Sequence, residues 1–240
     1  ILGSGGEKKM PAYASLWRYE DIEAVQDRCK HAKDLGYNYI KLHEIYTSEV
    51  EAARNILGDE TPIMVDTNCP WTKDKARQML IEWEDYNLYW VEEPINPPED
   101  FESLSNLRSE SLIPIAAGEN ACTSFEFKKI FEAEAVDYAQ PSVTKVGGIT
   151  EFKKIVSVAE TYGVQVMPHS PYFGPGFLAT LHLSQSIPNP GLLERFFIDF
   201  EAYIYPEEIF NPKKGFFQIP DGIGLGFEPD INVLKDYRVR

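Results

Sequence analysis

The sequence predicts an α/β protein in which eight parallel strands close into a barrel with helices outside it. Short apolar runs rich in β-branched and aromatic residues alternate with amphipathic helical patterns along the chain. This alternation is typical of βαβ units and a parallel sheet. Eight strands within 240 residues favour a closed barrel over an open sheet. We find no domain boundary inside the alternating region.

The predicted strands are short and apolar, as expected for parallel strands that are covered on both faces. They lie at 13–16, 39–43, 63–66, 89–92, 115–118, 136–140, 164–168 and 192–194. Apolar residues spaced three and four apart from Ile22 to Leu35 predict the first helix, and Gly36 follows as a stop signal. Similar patterns predict helices near 47–57, 73–86, 99–108, 124–133, 150–162 and 175–186.

Composition excludes several classes of protein. Acidic residues outnumber basic ones by 38 to 23, and the resulting net charge of −15 repels phosphate backbones, so we predict no nucleic-acid partner. No apolar run is long enough to span a membrane, and residues 1–10 lack the apolar core of a signal peptide. The three cysteines have no metal-ligand spacing, and so few thiols are typical of the reducing cytoplasm.

Polar residues end successive predicted strands with a regular step. The step is 23 to 27 residues, about the length of one strand and the helix that follows it. These residues are Lys41, Asp66, Glu92, Glu119, Ser142, His169 and Glu194. The carboxyl ends of barrel strands meet at one rim, where active sites of this fold lie. We therefore predict that these side chains converge on a functional site.

Three consecutive strands end in Asp66, Glu92 and Glu119, and three converging carboxylates repel one another unless a cation binds them. Hard oxygen ligands without cysteine suit Mg²⁺, which keeps positions open for substrate. The alternative is that each is a solvated acid at a strand end. Their equal spacing favours the metal site.

Seven short motifs lie at these strand ends. They are KLH at 41–43, VDTN at 65–68, WVEEP at 90–94, AAGEN at 116–120, QPSVTKVGG at 140–148, MPHS at 167–170 and LER at 193–195. In this order they resemble the enolase superfamily, in its branch of mandelate racemase and muconate lactonizing enzyme. The resemblance implies a modified β/α barrel with Mg²⁺ bound by Asp66, Glu92 and Glu119, and Glu93 in a supporting place behind them.

The resemblance also implies removal of the proton α to a carboxylate, with the metal stabilising the enediolate that forms. Lys41 matches a lysine that binds the substrate carboxylate. His43 stands where the family usually has a catalytic lysine. Because imidazole titrates near neutrality, we interpret His43 as the base, with a substrate-binding or structural role as the alternative.

His169 matches the family histidine on the seventh strand, whose usual aspartate partner is replaced here by Ser142. A hydroxyl cannot supply the charge that stabilises imidazolium. We therefore interpret His169 as a general acid, with a hydrogen-bonding role as the alternative, and Lys145 as a common supporting lysine of the family.

Glu194 matches the family residue that hydrogen-bonds the substrate carboxylate as a neutral acid, and an ion pair with Arg195 or Lys41 is the alternative. Asn68 and Asn120 follow metal ligands by two residues and one residue, so we expect them to orient substrate or water.

Two histidines beside a metal-bound carboxylate suit dehydration of an acid sugar or another hydroxy acid. Racemisation, epimerisation and cycloisomerisation remain open, since they share the intermediate. A metal-dependent aldolase would need a phosphate-binding glycine loop after strands seven and eight, which we do not find. A non-catalytic or vestigial metal-binding barrel fragment is the alternative from another class. The predicted partners are a small-molecule carboxylate and further copies of the full-length protein.

The resemblance further implies an N-terminal capping domain. The chain begins without methionine in a glycine-rich stretch, which suggests a piece of a longer polypeptide. We predict a linker from a missing capping domain at 1–11, the barrel at 12–199, and a tail at 200–240 that packs back on the barrel or cap.

Overall fold

A computed structural model describes residues 8–187 and 189–239. In that part of the chain seven strand–helix pairs precede an eighth strand, and the eight strands run parallel. In chain order they are β1 Lys9–Ser15, α1 Ile22–Asp34, β2 Ile40–Leu42, α2 Thr47–Leu57, β3 Ile63–Asp66, α3 Lys73–Glu82, β4 Leu88–Glu92, α4 Phe101–Glu110, β5 Ile115–Ala117, α5 Ser124–Glu132, β6 Tyr138–Ala139, α6 Ile149–Tyr162, β7 Gln165–Val166, α7 Pro175–Gln185 and β8 Leu193–Phe196. The predicted β/α barrel is confirmed.

The strands are hydrogen-bonded in the order β7-β6-β5-β4-β3-β2-β1-β8. Side chains from several strands fill the interior: Tyr13, Met64, Trp90, Ala116, Met167 and Leu192. At the seam between β7 and β8, the Leu192 N–H donates to the Met167 sulfur at 3.1 Å. A Cβ on Gly191 would lie 2.7 Å from the Val166 carbonyl oxygen, so glycine permits this close approach.

Helix boundaries follow local chemistry. The carboxylate of Asp21 accepts from the Ala24 N–H at 2.7 Å and so caps α1. The helix predicted at 73–86 is shorter, because α3 ends at Glu82 and a separate 3₁₀ turn covers Glu84–Tyr86. Trp83 between them is fully buried, so the chain turns there to place the indole in the core.

The terminal segments pack on the barrel. A strand β9 at Phe216–Gln218 pairs antiparallel with the beginning of β1, and a short helix α8 spans Ile231–Asp236. Because of that pairing β1 begins at Lys9, inside the predicted 1–11 linker, whose residues 1–7 lie outside the described chain. In the tail, the Phe217 ring packs against the Phe177 ring of α7, with the two ring centroids 5.0 Å apart. Among the described residues, no helix has the length and apolar character needed to cross a membrane.

Candidate active site

The carboxyl ends of the strands bring the predicted ligands together. Asp66 and Glu92 are the last residues of β3 and β4 and are partners in the parallel register. Glu119 follows β5 by two residues. The chain reaches it through Gly118, which has a φ of +133°. A Cβ added at this position would lie 2.8 Å from the Phe127 ring, so a side chain is excluded. Strand register and one glycine therefore set the spacing of the three acids.

One ligand atom from each of Asp66, Glu92 and Glu119 lies within 4.8 Å of the others. Asp66 and Glu92 are buried, and the Glu119 side chain is 15% exposed. Burial and the neighbouring Asp66 carboxylate raise the pKa of Glu92, because like charges in a poorly solvated site disfavour ionisation. A divalent cation would remove that cost. Three oxygen donors without a thiol among them fit Mg²⁺.

Lys41 of β2 lies in the middle of this acidic cluster and is almost fully buried. Its Nζ is 3.3 Å from Asp66 Oδ2 and 3.2 Å from Glu92 Oε2. The Oε1 of Glu194 on β8 is also 3.2 Å from that nitrogen. Although burial alone favours the neutral amine, Glu194 and Glu92 raise the pKa of Lys41, so it is held as an ammonium.

The surroundings of Glu194 favour its charged form, and the neutral acid that the resemblance implies beside a bound substrate stays a prediction. Burial favours its protonated form, but the ammonium of Lys41 outweighs burial and lowers the pKa of Glu194 to about 2. Its Oε2 also accepts a hydrogen bond from the Ser170 N–H at 3.0 Å. Of the two ion-pair alternatives, Lys41 is therefore the partner. Arg195 contacts Asp199 instead, at 3.0 Å.

His43 lies beside Lys41 at the rim, and its side chain is 16% exposed. Its Nδ1 contacts the Leu16 carbonyl oxygen, which accepts and cannot donate, so Nδ1 carries a proton. Its Nε2 is 3.2 Å from Asp66 Oδ2. The Asp66 carboxylate can only accept as well, so Nε2 is the donor in this contact, and a lone pair is available on Nε2 only when that proton has left.

His169 contacts a different member of the cluster. Its Nε2 is 2.8 Å from Glu119 Oε2, and this bond outweighs burial and lowers the pKa of Glu119. Its Nδ1 is buried without a hydrogen-bond partner among the described residues. Ser142 instead bonds the Tyr172 hydroxyl at 2.6 Å, and the Tyr172 ring packs edge-on against His169. Ser142 therefore does not orient His169 directly.

Glu93 and Asn120 lie behind the ligands. The Asn120 amide donates to both oxygens of Glu93 at 2.9 Å, and the Cys69 thiol donates to one of them at 3.3 Å. Burial, followed by the charge of Glu119, raises the pKa of Glu93 to about 7. Both residues line a separate cavity. The Asn120 side chain therefore binds Glu93 in this structure, and its expected role in orienting substrate or water stays a prediction.

Asn68 and Lys145 hold two of the ligands. The backbone N–H of Asn68 donates to Asp66 Oδ1 at 2.9 Å, and its side chain lines the cavity above the cluster. The Nζ of Lys145 is 3.4 Å from Glu119 Oε1. The other oxygen of each carboxylate is also in contact. Asp66 Oδ2 lies next to Lys41 and His43, and Glu119 Oε2 lies next to His169.

A cavity of about 680 Å³ opens at this rim. Its walls are formed by Trp17, Arg18, Glu20, Lys41, His43, Asp66, Asn68, Glu119, His169, Pro171, Glu194 and Phe196. Three of these residues, Trp17, Arg18 and Glu20, come from the loop between β1 and α1 and were not predicted from the sequence. The available signal is that Arg18 follows the first predicted strand by two residues, which is a rim position, although the series of polar strand ends begins at Lys41.

Comparison with known proteins relates this site to dehydratases. The family described as enolase C-terminal domain-like matches residues 24–233. The chain is 30% identical over 251 aligned positions to the arabinonate dehydratase of Saccharolobus solfataricus, covering 100% of this chain and 66% of the relative. It is 28% identical over 214 positions to the D-xylonate dehydratase of Haloferax volcanii, covering 87% and 51%. The chain thus spans about half to two thirds of the length of these curated relatives.

Solved structures agree with the fold. An L-talarate dehydratase from Polaromonas sp. JS666, complexed with Mg and L-glucarate, superposes with a TM-score of 0.84 at 28% identity. The match covers 98% of this chain and 65% of that one. The 3,6-anhydro-D-galactonate cycloisomerase from Zobellia galactanivorans gives a TM-score of 0.89 at 27% identity, with 98% and 68% covered.

Proposed function

This chain belongs to the enolase C-terminal domain-like family, and we propose that the full-length protein is a Mg²⁺-dependent dehydratase of sugar acids. It removes the proton α to the carboxylate and expels the β-hydroxyl as water. One observation carries the proposal: His43 and His169 line one cavity and contact different members of the carboxylate cluster, at Asp66 and Glu119. The similarity to arabinonate and D-xylonate dehydratases supports it.

Asp66, Glu92 and Glu119 would hold the Mg²⁺. When bound there, the cation would stabilise the negative charge that develops on the substrate carboxylate as the α-proton leaves. Lys41 adds a fixed positive charge beside the same place and binds the substrate carboxylate. The Glu194 carboxylate forms an ion pair with the Lys41 ammonium at 3.2 Å and keeps it in position.

His43 acts as the general base. The contact of Nδ1 with the Leu16 carbonyl holds the ring so that Nε2 faces the cluster. With the Asp66 carboxylate bound to the cation, Nε2 would be free to take up a proton. That nitrogen takes the proton from the α-carbon, and the electrons of the broken C–H bond enter the enediolate. A positioned base of this kind contributes about 10²- to 10⁴-fold to the rate.

His169 acts as the general acid. Its Nε2, 2.8 Å from Glu119, donates a proton to the β-hydroxyl as the carbon–oxygen bond breaks. The enediolate electrons form the carbon–carbon double bond, water departs, and the enol product tautomerises to a 2-keto-3-deoxy acid. No oxidant or further reactant is needed, since substrate equals product plus water.

The missing carboxylate at position 142 favours dehydration over racemisation. With Ser142 bonded to Tyr172, Nδ1 of His169 has no carboxylate partner among the described residues, and its charged contact is Glu119 at Nε2. Without a carboxylate at Nδ1, His169 serves as the acid that protonates the β-hydroxyl and not as a second base. Racemisation or epimerisation would need bases of similar strength at both histidines. Cycloisomerisation stays a second candidate because of the structural similarity to the cycloisomerase.

We further propose an N-terminal capping domain ahead of β1, assembly into a homo-oligomer, a cytoplasmic location and no nucleic-acid partner. The free cysteines at Cys29, Cys69 and Cys122 and the net charge of −15 support the last two. Light scattering on the full-length protein tests the assembly.

Deuterium exchange tests the proposed reaction. Full-length protein, Mg²⁺ and a library of aldonic and aldaric acids are incubated in D₂O, and NMR follows the α-proton and the appearance of 2-keto-3-deoxy acid. We expect loss of the α-proton and a keto acid for one group of configurations. Metal binding without exchange for any acid would instead indicate a vestigial barrel. Exchange of both α-epimers without a keto acid would indicate a racemase or epimerase.

A pair of neighbouring variants tests the metal ligands. Glu92→Gln and Glu93→Gln make the same change at adjacent positions, one in the cluster and one bonded to Asn120. We expect calorimetric Mg²⁺ affinity to fall strongly in the first variant and to stay near that of the wild type in the second. The opposite order would move the site to Glu93.

A further inference from the structure

Arg18 is held in the wall of the active-site cavity by neutral groups. Its Nε donates to the His43 carbonyl at 2.5 Å. Its Nη2 donates to the Thr67 carbonyl at 3.1 Å and to the Asn68 side-chain oxygen at 3.2 Å. These contacts fix the plane of the guanidinium but do not neutralise its charge.

No ion pair involves Arg18 within the described ranges, although the protein carries a net charge of −15. By contrast, Arg77 and Arg108 each contact a carboxylate, at 2.5 Å and 2.8 Å. Glu44, close to the same loop, is engaged by the backbone N–H groups of Tyr19 and Glu20 at 2.7 Å and 3.2 Å. Burial raises the pKa of the Glu44 carboxylate and the charge of Arg18 acts against that rise, but no described carboxylate lies within ion-pair distance of Arg18. The cavity therefore contains a positive charge without an ion-pair partner in the described part of the chain.

Arg54 shows that neutral partners alone do not imply a binding site. It also bonds only carbonyl oxygens, but it uses Nε, Nη1 and Nη2, with two bonds from Nη1. That arginine is a structural cross-link. In Arg18, Nη1 has no partner in the part of the chain that is described, and the residue lines the cavity.

We propose that Arg18 binds a second carboxylate of the substrate, at the end of the molecule away from the reacting carbon. The preferred substrate is then an aldaric acid, with a carboxylate at both ends, and not an aldonic acid. This inference rests on the proposed function, because Lys41 and the metal ligands take the first carboxylate. Lys41 already has this role at the first carboxylate, beside the metal ligands, so the second carboxylate needs another cation.

The geometry suits a carboxylate. Three of the five N–H groups of Arg18 are used by protein oxygens, and the two that remain are both on Nη1, so a carboxylate binds the charged group through that nitrogen. Two of the three nitrogens of Arg18 are already fixed by protein contacts, so little side-chain freedom is lost when the third binds. The ring centroids of Trp17 and Phe196 lie 5.5 Å apart, and the two rings form an apolar wall of the same cavity. This wall reduces the access of water that would compete for Arg18.

Matched pairs of substrates test this assignment. Binding of galactarate against galactonate, and of glucarate against gluconate, is measured by calorimetry with Mg²⁺ on the full-length protein, followed by kcat/KM for each acid. The variants are Arg18→Met, which removes the charge, and Arg18→Lys, which keeps the charge but loses the planar guanidinium that the protein contacts hold in place. Arg28→Met on α1 is the control, because that arginine is half exposed and outside the cavity.

We expect the wild type to bind the diacid of the active configuration more tightly. In Arg18→Met, diacid binding and kcat/KM should fall roughly 10- to 100-fold, as for loss of a charge-assisted hydrogen bond, with monoacid values changed less than about threefold. Arg18→Lys should recover part of the diacid affinity, and Arg28→Met should match the wild type.

Equal wild-type affinity for both acids of each pair, or equal losses for both in Arg18→Met, would overturn the assignment while leaving the proposed dehydratase intact. Preferential diacid binding that depends on Arg18, without any α-proton exchange, would keep the assignment and overturn the proposed reaction. No binding of any acid would overturn both.

Discussion

Replacement of Glu194 by glutamine should destabilise the metal-free protein at neutral pH and not in acid. The substitution keeps the size of the side chain but removes the charge that lies 3.2 Å from the Lys41 ammonium. Glutamine resembles the protonated acid, so the variant mimics the wild type below both pKa values of this group. The stabilisation that is lost can therefore be obtained from the pKa.

The folded protein lowers the pKa of Glu194 from 4.5 to about 2. Each unit corresponds to about 1.4 kcal/mol, so ionised Glu194 contributes about 3 kcal/mol to the free energy of unfolding at pH 7. Because the folded pKa is the lower one, this contribution is complete above the unfolded pKa. It disappears as the pH falls through the folded pKa, and about 1 kcal/mol remains at pH 3.

Urea unfolding in EDTA, followed by circular dichroism from pH 7 to pH 3, measures this difference. The midpoint of Glu194→Gln should lie well below that of the wild type at pH 7, and the two should converge toward pH 3. Glu110→Gln, which removes a half-exposed carboxylate that contacts Arg77, serves as the control and should change little. Equal stability at pH 7, or a difference independent of pH, would refute the assignment of a charged Glu194.

Three further outcomes test the site and the seam. His43→Asn should slow α-proton exchange about 10²- to 10⁴-fold while calorimetric Mg²⁺ affinity is retained, and near-normal exchange would place the base elsewhere. Ser142→Asp should supply a carboxylate for the unpartnered Nδ1 of His169, favour its protonated ring in an NMR titration, and open exchange of the opposite α-epimer; an unchanged titration would mean that residue 142 does not face this nitrogen. Gly191→Ala places a Cβ 2.7 Å from the Val166 carbonyl and should lower the unfolding free energy by about 1–3 kcal/mol in urea titrations, whereas wild-type stability would contradict the tight seam.

The metal cluster was predictable from sequence because it depends on a repeating unit. Asp66 and Glu92 end neighbouring strands, and parallel pairing places strand ends side by side whatever the loops between them do. Asn120 was not predictable in the same way. It is adjacent to the ligand Glu119, yet its amide binds Glu93 behind the rim, because neighbouring residues in an irregular loop have no fixed side-chain direction.

Protonation and pairing also required the tertiary structure. The sequence pattern left Glu194 with two possible cationic partners, and only the folded barrel places Lys41 within 3.2 Å of it. The charge of Glu194 follows from that distance. Likewise, the absence of a carboxylate at Ser142 was visible in the sequence, but its bond to Tyr172 was not.

The sequence by itself determined the alternation of strands and helices, and with it the polar residues at the carboxyl ends of the strands. Hydrophobic period and unit length are local properties of the chain. The tertiary structure decided which of those polar groups meet, which carry charge, and that Arg18 lines the same cavity without an ion-pair partner in the described ranges. These outcomes depend on distances of a few ångströms between residues far apart in the chain. Electrostatic interaction and desolvation change steeply over such distances, and no local pattern encodes them.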